Sequence, residues 1–189
     1  MKLVWRYFVK KYIVLLRGIN ISGKNKVPMK ELKIEIEKLK FSNVITYLNS
    51  GNVIFKSDIE DENYIKNSIS KIIKDKFNLN IPIYIMTEDK LKNIMDNVPS
   101  WCRVDNFYDN VIFVIPPKNC KDVHLVLGAP KYDLEKVVDY EDVIFWSYNL
   151  KQYTKTNWWS RTASTTIKDS ITIRKLSTVE KILELTESL

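Results

Sequence analysis

Arg17, Lys24 and Lys26 lie in one short polar stretch, interleaved with Gly18, Gly23, Asn20 and Asn25. These residue types suit an anion. Arginine offers a planar fork that matches phosphate or carboxylate. The glycines let the backbone approach a ligand, and a helix start just downstream supplies free N–H groups and a positive dipole. The spacing is neither Gly-x-x-x-x-Gly-Lys-Ser/Thr nor Gly-x-Gly-x-x-Gly, so the two common phosphate-binding fingerprints do not apply. A second polar cluster, Asn49-Ser50-Gly51-Asn52, separates two apolar runs. Both clusters have a purely structural reading as well. Glycine and asparagine form turns, and Arg17 braces the loop.

Other reactive side chains are sparse. Ser50 has no candidate base, because His124 is the chain's one histidine and falls in an apolar helix pattern. A Ser-His-acid triad is therefore not expected. One histidine and two separated cysteines, Cys102 and Cys120, do not make a zinc site. The acidic run 58–62 suits a helix cap and solvent better than a cation. Trp146, Tyr148, Tyr153, Trp158 and Trp159 alternate with Lys151, Lys155 and Arg161. Stacking surfaces with cations between them suit a nucleobase or single-stranded nucleic acid. Core packing and a subunit interface compete for the same residues.

Composition bounds the rest. A chain of 189 residues with 45% hydrophobic and 28% charged side chains is ordinary for a globular protein. The formal net charge of +7 permits an acidic partner without requiring one. No apolar run reaches the ~20 residues of a membrane span. Arg6 interrupts the N-terminal apolar residues too early for a signal peptide. With two cysteines read as reduced thiols, the expectation is a cytoplasmic protein with no membrane association.

The elements that must position these residues follow from periodicity. Residues 12–16 are continuously apolar, as in a central strand. Pro28 opens a helix whose stripe is Met29, Leu32, Ile36 and Leu39. Residues 44–48 and 53–55 form a hairpin around 49–52. Asp58 or Asp61 caps a second helix with Ile65, Ile69, Ile72, Ile73 and Phe77 on its apolar face. Residues 81–86 form an edge strand that tolerates Pro82. Strand, helix, strand, strand, helix, strand is the split βαβ, ferredoxin-like order.

The second half repeats it more loosely. Thr87 caps a helix, 111–115 is a strand, and 123–127 is a helix stopped by Gly128. Residues 132–138 and 143–146 form a hairpin, and 171–174 is a strand. Ser177 and Glu180 form a capping box for a last helix. Residues 151–168 read equally as helix or long loop. The fold class is therefore α+β, two ferredoxin-like repeats with antiparallel sheets and an extra C-terminal helix. The expected domains are an extension at 1–11, a first repeat at 12–86 and a second repeat with added helices at 87–189.

Leu15-Leu16-Arg17-Gly18-Ile19-Asn20, then Gly23, Asn25, Val27 and Met29, then Tyr47-Leu48 and Ser50-Gly51-Asn52-Val53-Ile54-Phe55 resemble the bacterial family of unknown function numbered 1697. The resemblance covers residues 12–189. It implies a two-part fold of ferredoxin-like units and no activity. The family's C-terminal signature places Thr172, Arg174 and Thr178, but Lys175 and Leu176 replace its asparagine and tryptophan.

The expected ligand-binding residues are Arg17, Asn20, Lys24, Asn25, Asn49, Ser50, Asn52 and Arg174. In a split βαβ unit the loop after the first strand and the hairpin turn share one end of the sheet, so the first two clusters should meet. The leading reading is a non-catalytic binder of an anionic small molecule or nucleic acid at that end. A small transferase or hydrolase acting on a phosphorylated substrate is an alternative, with Arg17 and Arg174 as clamps. A protein-interaction module is another. The sequence designates no cofactor.

Overall fold

A computed structural model describes residues 9–189; residues 1–8, most of the expected extension, lie outside the described residues. The chain divides into two compact units, Met1–Asp89 with Leu185–Leu189, and Lys90–Glu184.

In the first unit the order is β1 (Lys10–Leu16), α1 (Met29–Glu37), β2 (Ser42–Tyr47), β3 (Asn52–Ser57), α2 (Glu62–Phe77) and β4 (Ile83–Thr87). The sheet order is β2-β3-β1-β4, with β1 antiparallel to both β3 and β4. Tyr12 to Leu16 are fully buried, which explains why β1 shows no polar alternation. Tyr12, Val14 and Leu16 pack with Val53, Phe55, Leu32, Ile36, Ile65 and Ile69, so α1 and α2 cover that face. Asp61 caps α2 by accepting from the Asn63 and Tyr64 amides; Asp58 is not the cap. β4 begins after Pro82, which keeps the imide out of the ladder.

The second unit contains β5 (Phe107–Val114), α4 (Cys120–Leu127), β6 (Glu135–Tyr140), β7 (Val143–Asn149), α5 (Asn157–Ser164) and β8 (Ile171–Lys175), with most of α3 (Glu88–Asp96) and α6 (Leu176–Glu187), both of which straddle the division. Its sheet order, β6-β7-β5-β8, reproduces the first sheet with β5, β6, β7 and β8 in the places of β1, β2, β3 and β4. The architecture is thus α+β with two ferredoxin-like repeats. Ile112, Val114, Ile144, Trp146, Val123, Leu127, Trp158 and Ile171 form the core under α4 and α5.

Several boundaries differ from the sequence reading. β5 starts at Phe107, four residues before Val111, because Asp109 and Asn110 pair with Ser147 and Trp146 of β7 and continue the ladder. The β6–β7 turn is only Glu141-Asp142, and Glu141 adopts φ 51°. Residues 151–168 form short 3-10 turns on either side of the eight-residue α5. α3 begins at Glu88 directly after β4, so Thr87, the last residue of that strand, also stands at the cap position expected of it. α6 begins at Leu176 directly after β8, so Ser177 sits inside the helix rather than before it. Among the described residues, no helix is long and apolar enough to cross a membrane.

Candidate functional site

The two polar clusters of the first unit do meet. The Asn20 side chain donates to the carbonyls of Val27 and Asn49, both at 2.9 Å, and accepts from the Val27 amide at 2.8 Å. Asn25 donates to Gly18 O at 2.9 Å. Asn52, fully buried, donates to Tyr47 O at 2.7 Å and Ser50 Oγ at 3.2 Å. The Leu16 amide donates to Gly51 O at 2.8 Å, and the Arg17 amide to Pro82 O at 3.0 Å. The loop has left-handed φ at Gly18, Asn20, Gly23 and Asn25, residue types that tolerate it best, and also at Ser22. A Cβ on Gly51 would stand 2.7 Å from Leu16 Cβ and 2.8 Å from Ile19 Cδ1, so the turn approaches the loop as only glycine permits. The amide groups of Asn20, Asn25 and Asn52 thus hold backbone. Arg17 is half-buried, while Lys24, Lys26, Asn49 and Ser50 are exposed.

Arg174 belongs to the second unit. It is buried in β8 and donates to Thr172 Oγ1 at 2.8 Å and Ile173 O at 3.0 Å. Its Nη1 is thereby held within β8.

The second unit also holds an open cleft of about 610 Å³. Strand alternation builds its floor. Tyr108 and Asn110 of β5, Trp146 and Tyr148 of β7, and Ile173 of β8 share one face of neighbouring strands. Leu150 and Tyr153 close one end, and Trp159, Ser160, Thr162 and Ala163 of α5 form the wall. The rings touch in series. Tyr148 stacks on Tyr108 at 5.6 Å and meets Trp146 at 4.7 Å and Trp159 at 5.5 Å; Trp159 meets Tyr153 edge-on at 4.8 Å. Trp159 is 42% and Tyr153 37% exposed. Lys175 stands over the Tyr108 ring, its Nζ 4.9 Å from the centroid.

Helical geometry splits the adjacent tryptophans. Trp158 points into the core, where its indole donates to Gly128 O at 2.9 Å; Trp159 points into the cleft. One buried carboxylate fixes both floor and wall. Glu135 is 1% exposed and accepts from the Trp146 indole at 3.0 Å, from the Lys131 amide at 3.0 Å, and from the Asn157 and Trp158 amides at 2.7 and 3.3 Å. It thereby caps α5 from another strand, placing negative charge at the positive end of that helix.

Acid–base chemistry is poorly supplied here. His124 lies in α4, and its Nε2 is paired with Asp139 Oδ1 at 2.7 Å. Cys102 and Cys120 are free and buried, and burial pushes both thiols up to about 12. Burial likewise pushes the Tyr148 phenol up to about 12. Among the described residues, no three His, Cys, Asp or Glu side chains gather as a metal site would need.

The sequence places its expected site at the loops of the first unit and sets these aromatics apart from it. They come together because Trp146 and Tyr148 alternate on one strand, and the repeat order seats that strand beside the one carrying Tyr108 and Asn110.

A family model described as protein of unknown function (DUF1697) matches residues 9–145, a shorter span than the motifs implied. No curated protein matches. Among solved structures, the conserved bacterial protein SP0830 from Streptococcus pneumoniae is similar over 94% of this chain and 99% of its own, with 25% identity and a TM-score of 0.84.

Proposed function

The chain belongs to the DUF1697 family of unknown function, a membership that carries no activity, and we propose from the site itself that it is a non-catalytic binder of a nucleotide-class ligand, free or within a single strand. The ring of that ligand lies in the aromatic cleft of the second unit, and its phosphate reaches Lys175. The observation that carries this reading is the convergence of Tyr108, Trp146, Tyr148, Tyr153 and Trp159 on one open cleft. Aromatic faces hold nucleobases by stacking at ~1–3 kcal/mol per base. The basic net charge favours an anionic partner. The two free, buried cysteines fit a reducing compartment, and the proposal places the protein in the cytoplasm.

A second reading keeps the anion site at the loop end of the first unit. It rests on exposed Lys24 and Lys26 beside half-buried Arg17. It ranks second because the asparagine amides there already hold backbone carbonyls.

Thermal-shift measurements across nucleotides, nucleosides, sugar phosphates and inorganic phosphate separate the two. The cleft reading expects nucleotide-dependent stabilisation that Tyr153→Ala with Trp159→Ala abolishes and Arg17→Ala with Lys24→Ala preserves. The opposite pattern moves the site to the loops.

A further inference from the structure

The rings of the cleft offer two places for a base rather than one. Tyr148 is buried, and it touches Tyr108 of β5 at 5.6 Å and Trp159 of α5 at 5.5 Å. Those two rings reach solvent on different elements. Tyr108 is half-buried, and Trp159 with its neighbour Tyr153 is exposed at the rim. Each place has its own cations. The exposed Lys175 of β8 stands over the Tyr108 ring, its Nζ 4.9 Å from the centroid. The exposed Lys151 and Lys155 flank Tyr153 in the chain, and residues 150–164 carry no carboxylate. β5 lies between β8 and β7 in the sheet. At ~4.8 Å per strand spacing, β8 and β7 stand roughly 10 Å apart. The cations are thus dispersed around the rings instead of gathered at one point.

A free nucleotide concentrates its phosphate charge, and proteins hold it with an arginine fork or the free amides of a helix start. Among the described residues, none that lines the cleft is charged. The start of α5, the helix that forms the wall, is filled from within. Glu135 accepts from the Asn157 and Trp158 amides at 2.7 and 3.3 Å, which sets a negative charge where such a phosphate would go. A single strand instead spreads its charge, one phosphate per nucleotide, and dispersed lysines match it. From this we infer that the cleft binds single-stranded nucleic acid across at least two successive nucleotides. One base lies on Tyr108 with its phosphate at Lys175, and the next lies on Trp159 and Tyr153 with its phosphate at Lys151 and Lys155. The inference rests on the nucleotide reading above and names its substrate class. Stacking accepts any base, so strandedness and length govern affinity more than base identity.

The test is calorimetric titration of the full chain with AMP, ATP and single-stranded tetra-adenylate, which share the same base. Tetra-adenylate should bind at least about tenfold tighter than AMP, the scale of a second stacked base, and tighter than ATP. Its log affinity should fall against log salt with a slope of about −1.4, two phosphates at ~0.7 each. Lys175→Gln, a change at an exposed side chain, should bring that slope to about −0.7. A longer mixed-sequence strand should lose at least about tenfold in affinity when annealed to its complement, because paired bases cannot reach the rings. A smaller gain from AMP to tetra-adenylate, ATP as the tightest ligand, a salt slope that Lys175→Gln leaves unchanged, or a duplex that binds as tightly as the strand overturns the inference. If AMP still binds and Tyr153→Ala with Trp159→Ala abolishes that binding, the cleft reading survives such a result. No binding by AMP or tetra-adenylate overturns both.

Discussion

Asparagine carries most of the meaning at the residue scale. Asn20 accepts from the Val27 amide just before α1 and donates to two carbonyls, which ties the first loop to the hairpin turn. Asn20→Ala leaves a half-buried amide and carbonyl without that partner and should cost about 1–3 kcal/mol in chemical denaturation. Gly51→Ala is the sharper experiment. It forces a left-handed residue, φ 82°, to carry a Cβ into Leu16 and Ile19. The expected loss is about 2 kcal/mol or more, combining strain with overpacking, and an unchanged unfolding midpoint would refute the close approach. These residues were legible in the sequence as turn formers with an anion-binding rival. Their hydrogen-bond partners were not, because a side-chain amide announces its capacity and not which carbonyl it meets. The thiols make a reactivity prediction. Buried and held as neutral thiols near pH 7–8, Cys102 and Cys120 should resist a thiolate-directed reagent until the protein unfolds.

At the scale of elements, α5 is the piece that periodicity could not place. It has eight residues and two adjacent tryptophans, one buried and one lining the cleft, and its N-terminus is capped by a carboxylate more than twenty positions upstream in the chain. Thr156 stands at the local cap position, but its hydroxyl donates to Tyr153 O instead of accepting from the helix. β5 was shortened for a related reason: Asp109 and Asn110 look like a strand boundary, yet one amide and the cross-strand register carry them inside. By contrast β1, α1 and α2 were readable, since their burial follows from continuous or 3.6-residue apolar spacing. The dependence of α5 on Glu135 is testable. Glu135→Gln replaces an acceptor oxygen with an NH₂ group that faces backbone and indole donors. It should destabilise the protein by about 1–3 kcal/mol, speed amide exchange across residues 157–164 and alter the near-ultraviolet tryptophan signal. Exchange confined to other helices would deny Glu135 this role.

For the molecule as a whole, the repeated strand order is the central structural fact. Both sheets run edge, centre, centre, edge with the same connectivity, and the sequence disclosed this through element order alone. The two repeats differ in what their loops and added helices do. In the first, polar residues close a loop-to-turn junction. In the second, α5 leans over a sheet face whose Trp146 and Tyr148 are buried, and Tyr153 and Trp159 at the rim remain partly uncovered. A ferredoxin-like scaffold hosts many functions, so the assignment has to come from the cleft's chemistry and not from the fold.

The most direct measurement is calorimetric titration of AMP into the wild-type chain and into the Tyr153→Ala, Trp159→Ala double variant, with the folded state of each checked by circular dichroism. The cleft account predicts saturable binding to the wild type that weakens about tenfold or more in the variant, the scale of one lost stacking platform. Equal affinity in both proteins, or no heat of binding in either, would contradict it.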